Sequence, residues 1–169
     1  MPAEPSPRAA ALRRALAHPR VPLLATALAV LCASPALFAG FVADDYFQRA
    51  ILLGIGAVGE GMQPLTDLFV FVRGAEGRER LMDVGILPWW THPDLHLCFL
   101  RPVSAATHMV DAALWPDTPW LWHLHSLVWF GLAVFTVAML YRSVSSVPWV
   151  AGLAALLFAV EDSLAFPAG

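Results

Sequence analysis

The sequence predicts an all-α membrane protein with three transmembrane helices and a long extracytoplasmic loop that contains interfacial helices. The first observation is composition: 59% of the 169 residues are hydrophobic and only 14% are charged. An average soluble domain has about 45–50% apolar and about 25% charged residues. The other two observations are three long runs without charge and an uneven distribution of arginine along the chain.

The three uncharged runs give the predicted spans. Residues 21–39 and 119–140 have the length of about 20 residues that a helix needs to cross a bilayer. Residues 143–160 form a shorter run, bounded by Ser145 and Ser146 as capping residues and by Pro148, which suits a first helical turn. We therefore predict transmembrane helices at 21–39, 119–140 and 143–160.

Arginine placement predicts the orientation, because cytoplasmic segments next to membrane helices carry an excess of basic residues. Four arginines precede the first span (Arg8, Arg13, Arg14 and Arg20), and Arg142 lies in the turn between the second and third spans. Residues 1–20 are thus a cytoplasmic tail. Residues 40–118, with ten acidic residues and five arginines, form the extracytoplasmic loop.

Two other topologies fit parts of this pattern. The basic start, the apolar run and the small residues at 33–39 are also typical of a cleaved signal peptide. A single extra span over residues 50–72 would invert everything downstream. It would also bury Glu60 and Asp67, at about 2.5–3.5 kcal/mol for an acid at the centre of a membrane helix.

The extracytoplasmic loop is predicted to contain helices at the membrane surface. Residues 44–49 lead into an apolar stretch at 50–58 that is too short to span and is weakened as a regular helix by its glycines, and residues 64–72 carry apolar residues at helical spacing. Both are interpreted as helices at the membrane interface. Arg73 to Asp83 is the most polar stretch and is interpreted as a solvated loop. The tryptophans on either side of the second span's start are typical of a membrane interface. They are Trp89, Trp90, Trp115, Trp120, Trp122 and Trp129.

Several site types are excluded or disfavoured. The net charge of −3 argues against nucleic-acid binding, which needs a basic face. The GxGxxG match at residues 54–59 does not lie between a strand and a helix, so it does not indicate a nucleotide site. Cys32 and Cys98 do not form a metal motif. His92 and His96 have helical metal-ligand spacing, but Pro93 lies between them.

The strongest candidate site is acidic. Asp44-Asp45 follows the first span and Glu161-Asp162 follows the third, so the three-span topology puts both pairs on the same side. Such carboxylates can bind a divalent cation such as Mg²⁺ or Mn²⁺, or act as a general base. Asp44 and Asp45 could instead cap the next helix.

Basic residues of the same outer region are candidates for binding an anion. Arg101 has the planar fork that suits a phosphate, although an ion pair with Asp94 or Asp111 is the alternative. His123 and His125 begin the second span and point to different faces of a helix, so they are not expected to chelate one metal together. We expect His123 to face the acidic site.

These residues resemble the N-terminal part of C-type (GT-C) membrane glycosyltransferases. The resemblance extends over residues 41–169 and rests on degenerate motifs. The family motifs are Asp44-Asp45, Arg101-Pro102 with Asp111 and Leu114, His123-Leu124, and residues 158–169. Two further segments, Leu87-Pro88-Trp89-Trp90 and Tyr141-Arg142, resemble an uncharacterised subgroup of the family. Ser126 and Phe130 depart from the pattern, which usually has Asn and His there.

The resemblance implies a GT-C-like N-terminal portion in a bacterial inner membrane. The enzyme would transfer a sugar from a polyprenyl-phosphate donor on the extracytoplasmic side. Asp44 or Asp45 would be catalytic, Arg101 and His123 would hold the donor phosphate, and Glu161 or Asp162 would join a metal site. The later spans of the family are missing, so we interpret residues 161–169 as the start of a second outer loop in a longer protein.

Two alternatives to an enzyme remain open. One is a non-catalytic polytopic membrane protein that acts as a scaffold or assembly partner. The other is a transport component, which would favour charged residues in the middle of the spans, where this chain has none.

Overall fold

A computed structural model describes residues 6–42, 44–55, 61–83 and 85–161. The chain divides into a helical unit, Met1–Gly40 with Pro119–Gly169, and a central unit, Phe41–Thr118. In chain order the elements are α1 (Pro7–Leu16), α2 (Val21–Ala33), a 3-10 helix (Ser34–Phe38), α3 (Asp44–Leu53), α4 (Pro64–Asp67), β1 (Val70–Val72), α5 (Gly74–Asp83), β2 (Leu97–Cys98), α6 (Pro102–Leu114), α7 (Pro119–Val144) and α8 (Pro148–Ala159).

Two helices of the helical unit are long and apolar enough to cross a membrane. They are Val21–Phe38, which comprises α2 and the 3-10 helix, and α7. The third predicted span contains α8, which has 12 residues. At 1.5 Å per residue, α8 is about 18 Å long, whereas the hydrocarbon core is about 30 Å thick. The third span therefore stays a prediction.

Contacts at both ends show that α2 and α7 are antiparallel. At one end, Nη1 of Arg142 donates a hydrogen bond to the carbonyl oxygen of His18 (3.0 Å), just before α2. At the other end, Nε2 of His123 lies 3.3 Å from the carbonyl oxygen of Gly40. α8 follows α7 after a short turn and packs against both α2 and α7. The helical unit is thus a three-helix bundle with α1 packed on α8.

Small residues form the interior of the bundle. The main buried cluster consists of Val134 and alanines of the three helices, namely Ala25, Ala29, Ala138, Ala155 and Ala159. Large apolar side chains such as Leu31, Leu132 and Leu157 are 53–69% exposed. Only 28% of the apolar stretch in Val21–Phe38 and 22% of that in α7 is buried. A core helix of a soluble protein would bury most of its apolar surface.

The central unit packs α3, α4 and α6 around a separate small core. That core contains Ile51, Leu68, Phe69 and Ala105, with Phe47 and Phe71 stacked beside it at a ring distance of 5.6 Å. Arg49 ties the start of the unit to its end, since it forms an ion pair with Asp117 and donates a hydrogen bond to the carbonyl oxygen of Pro116 (2.9 Å).

The central unit corrects the all-α prediction in three places. β1 and β2 pair as a short antiparallel ribbon, with Val70 opposite Cys98 and Val72 opposite Leu97. The helix predicted over residues 64–72 ends at Asp67, because the chain then extends into the ribbon. The predicted solvated loop from Arg73 to Asp83 is instead helix α5, which packs on β1.

Candidate functional site

The two neighbouring aspartates Asp44 and Asp45 have different environments. α3 begins at Asp44, and Oδ2 of Asp45 accepts a hydrogen bond from the backbone N–H of Val42 (2.9 Å). This hydrogen bond satisfies a backbone donor just before the helix, as capping side chains do. Asp44 is exposed and makes no hydrogen bond or ion pair within the described residues. The structure therefore gives Asp45 a capping role and leaves both oxygens of Asp44 available.

Arg101 has an unusual setting for a surface cation. Its guanidinium carbon lies 5.3 Å from the ring centre of Phe69 and 5.1 Å from that of Phe99. Phe69 is buried in the core of the central unit and Phe99 is exposed. Two such cation–π contacts restrict the guanidinium, while the side chain as a whole stays exposed.

No carboxylate neutralises Arg101 in the part of the chain that the structure describes. The predicted alternative was an ion pair with Asp94 or Asp111, and neither forms. Asp111 instead lies 3.7 Å from the ring of His108, measured between Oδ2 and Nδ1. Arg101 directly precedes α6, so its charge is held at the positive end of a helix that packs on α3.

Sequence reasoning missed the burial of Asp111. This side chain, on the apolar face of α6, is one of the most buried in the protein, at 1% exposed. His108, one turn earlier, packs on Phe69 with a ring distance of 6.2 Å. The available signal was an acidic residue inside an apolar run, because a buried carboxylate needs a polar neighbour.

Asp67 is a second buried acid in the central unit. Its Oδ2 accepts a hydrogen bond from the backbone N–H of Gln63 (2.9 Å), and its Oδ1 lies 3.2 Å from Nη2 of Arg73. The Gln63 hydrogen bond, aided by the charge of Arg73 and by Thr66, lowers the pKa of Asp67 despite its burial. These contacts join Gln63, just before α4, to Arg73, just after β1, so Asp67 holds the α4–β1 junction together.

The other predicted residues lie in the helical unit or outside the described residues. His123 is buried, at 4% exposed, and its Nε2 already faces the Gly40 carbonyl. Glu161 is exposed after α8, and Asp162 lies outside the described residues. His125 accepts a hydrogen bond from the indole N–H of Trp129 (2.9 Å).

The described residues do not bring together a set of side chains that could bind a metal ion by themselves. In the described ranges, no group of three or more His, Cys, Asp or Glu side chains could hold a metal ion. The segment with His92 and His96 is not helical, so their spacing does not place them on one helix face. Mg²⁺ is commonly bound by one or two carboxylates plus water and substrate phosphate, and Asp44 with the free oxygen of Asp45 would fit that mode.

Comparison of the chain with known proteins identifies no relative. No protein-family model, no curated protein and no solved structure matches the chain.

Proposed function

We propose that the chain is an integral membrane protein related in function to glycosyltransferases, transferring a sugar from a polyprenyl-phosphate donor on the extracytoplasmic side of a bacterial inner membrane. The observation that carries the proposal is the setting of Arg101. Its guanidinium is exposed and contacts the rings of Phe69 and Phe99, and no carboxylate among the described residues forms an ion pair with it. A cation in that state is suited to an oxyanion.

Membrane insertion is supported by the distribution of side-chain size in the bundle. Membrane helices associate through small residues that allow close approach, and their large apolar residues face lipid. The helical unit has this pattern: alanines, Gly131 and Gly152 lie inside, and most of its described leucines are exposed. We propose that residues 143–160 complete a third span.

The orientation is supported by where the arginines lie. The contact of Arg142 with His18 and that of Arg13 with Trp149, 4.9 Å from the ring centre, gather the basic residues at one end of the bundle. We assign that end to the cytoplasm, since basic residues are enriched there. Gly40 and His123 are then at the extracytoplasmic end, which is where residues 41–118 leave and rejoin the bundle along the chain.

The chemistry we propose divides between Arg101 and Asp44. Asp44 takes the proton of the acceptor hydroxyl as that oxygen attacks the anomeric carbon of the sugar. The bond from that carbon to the phosphate oxygen breaks, and the phosphate leaves with the electron pair. Arg101 offsets the charge on the departing phosphate. A Mg²⁺ or Mn²⁺ ion, when bound, would be held by Asp44 and Asp45 and would add to that charge compensation.

The proposal is tested first by binding. The full chain, in detergent, is titrated with a polyprenyl phosphate and with the matching neutral polyprenol. We expect the phosphate to bind more tightly. Arg101→Gln removes hydrogen bonds to a charged group, worth about 1.5–3 kcal/mol, so its affinity for the phosphate should fall about 10–100-fold. Arg80→Gln is the matched control, since Arg80 is an exposed arginine of the same unit.

Transfer activity tests the role of Asp44. With a polyprenyl-phosphate sugar as donor, Asp44→Asn should lower the rate about 10²–10⁴-fold while donor binding is retained. Equal binding of phosphate and polyprenol would instead support the non-catalytic scaffold. So would an unaltered chain that transfers no sugar while Asp44→Asn and Asp45→Asn leave its function in the cell intact.

A further inference from the structure

One end of the helical unit, called here the basic end, carries five arginines, and none of the described residues there is acidic. Arg8, Arg13 and Arg14 lie on α1, Arg20 precedes α2, and Arg142 is in the last turn of α7. The only acid among the described residues of this unit is Glu161, beyond the opposite end of α8. None of the five arginines forms an ion pair within the described ranges.

Packing brings this basic set together from separate chain segments. Arg142 donates to the carbonyl oxygen of His18, two residues before Arg20. Arg13 lies over the ring of Trp149 in the first turn of α8, and the end of α1 packs directly on Gly152. Arg13, Arg20 and Arg142 thus surround one junction, where α1 meets α2, α7 ends and α8 begins.

Among the described residues, the side-chain N–H donors of Arg13, Arg20 and Arg142 are mostly without an acceptor. Arg13 contributes only the face of its guanidinium to Trp149, and Arg20 uses only its backbone N–H, bonded to Nδ1 of His18 (3.2 Å). Arg142 uses Nη1 alone. At this junction the N-termini of α2 and α8 lie beside the C-termini of α1 and α7, so the helix dipole ends offset one another and the arginines carry the positive charge. The result is a cationic surface beside Trp149 with no ion-paired acid among the described residues.

We propose that Arg13, Arg20 and Arg142, with Trp149, form a binding site for the phosphate headgroup of an anionic phospholipid. The planar guanidinium binds phosphate oxygens two at a time, and anionic headgroups are concentrated at the cytoplasmic leaflet. A lipid is favoured over a soluble phosphate because Arg20 lies about one helical turn before the exposed leucines Leu23 and Leu24 on α2, which an acyl chain would cover. The inference rests on the membrane location proposed above but not on sugar transfer.

The test counts lipids bound to the intact chain. The protein is placed in nanodiscs of phosphatidylcholine alone or mixed with phosphatidylglycerol, and retained lipids are counted by native mass spectrometry. We expect several-fold more retained phosphatidylglycerol than phosphatidylcholine, with the excess declining at high salt. Arg20→Gln and Arg13→Gln should each reduce that excess several-fold, whereas Arg80→Gln, the same charge change in the central unit, should not.

Two further measurements keep the inference falsifiable. Arg13→Lys keeps the charge if Arg13→Gln fails to fold, and it should lose only part of the excess, because Lys lacks the planar fork. Millimolar glycerol phosphate should not displace the lipid. Equal retention of both lipids, displacement by glycerol phosphate, or an equal loss in Arg80→Gln overturns the headgroup site. Failure of the chain to enter nanodiscs overturns the shared membrane premise instead.

Discussion

The backbone carbonyl of Leu16, at the end of α1, occupies the space where Gly152 of α8 would carry a Cβ atom. A Cβ placed there would lie 2.9 Å from the carbonyl carbon of Leu16 and 3.4 Å from its Cα. One Cα hydrogen of Gly152 therefore points at the carbonyl group, a contact common between closely packed helices. This contact fixes α1 against α8 and, with it, the position of the basic end.

Gly152→Ala is expected to destabilise the helical unit by about 1–3 kcal/mol, since a backbone atom must move to admit the methyl group. Thermal unfolding of the full chain in detergent measures the effect. Gly77→Ala is the matched control: Gly77 lies inside α5 with nothing within 4 Å of its Cβ position, so this change should be neutral or stabilise by up to about 1 kcal/mol. An unchanged melting temperature in Gly152→Ala would disprove the close approach.

Arg49→Gln should cost the central unit more stability than Asp117→Asn. The ion pair is partly exposed, with side-chain exposures of 26% and 77%, so it contributes roughly 0.2–1 kcal/mol. Arg49 also donates to Pro116 and stacks on Phe41 at 5.6 Å, contacts that Asp117→Asn leaves intact. Unfolding of both variants and of the double variant gives the coupling energy. Equal losses in the two single variants would show that the ion pair alone closes the unit.

The lowered pKa of Asp67 predicts that the free energy of unfolding depends on pH. Its pKa is lower in the folded protein than in the unfolded chain, mainly through the Gln63 hydrogen bond. The carboxylate therefore stabilises the fold fully above its unfolded pKa of about 3.9, and this stabilisation is lost as the pH falls through the lower, folded value. Asp67→Asn should flatten the stability profile below about pH 4, at a cost near 1 kcal/mol at neutral pH. An equally steep acid profile in the variant would assign the effect to other carboxylates.

Phe99→Leu tests the preorganisation of Arg101 without changing charge. Phe99 is 45% exposed, so its replacement disturbs the core less than replacement of Phe69 would. Loss of one exposed cation–π contact, about 0.5–1 kcal/mol, should weaken polyprenyl-phosphate binding about 2–5-fold. Leu100→Ala, at the exposed neighbouring residue, should leave the affinity unchanged. Undiminished binding in Phe99→Leu would show that the aromatic pair does not position the guanidinium.

Long, uniform patterns were predictable from the sequence, and non-local contacts were not. The run at 119–140 indicated α7 because no charge interrupts it over more than five turns. The β1–β2 ribbon was missed, because strands of three and two residues are too short for alternation to show. The segment of α5 was predicted as a loop because it contains Gly74, Gly77 and five charged residues but few apolar ones. Its packing against β1 stabilises the helix, and that contact is not visible in the local sequence.

The same division holds for the candidate site. The residue types at Asp44, Asp45 and Arg101 were visible in the sequence, and so was the capping role that Asp45 takes. The pairing of Arg101 with Phe69 joins residues 32 positions apart with three elements between them along the chain, and it depends on how α6 packs on the core. The burial of Asp111 has the same origin. The sequence could therefore name Asp44 and Asp45 as candidates. It could not show that Asp45 is the one whose carboxylate caps the helix.

Leu132→Asp distinguishes a membrane bundle from a soluble one. Leu132 is 53% exposed near the middle of α7, so in water an aspartate there would be harmless. In a bilayer it would face hydrocarbon at a cost of about 2.5–3.5 kcal/mol, and the variant should be lost from the carbonate-resistant membrane fraction. Leu100→Asp, at a 77% exposed leucine of the central unit, should stay in that fraction. If Leu132→Asp remained folded and membrane-associated like Leu100→Asp, the outward leucines of α7 would not face lipid. The small-residue packing inside the bundle would then need an explanation other than membrane insertion.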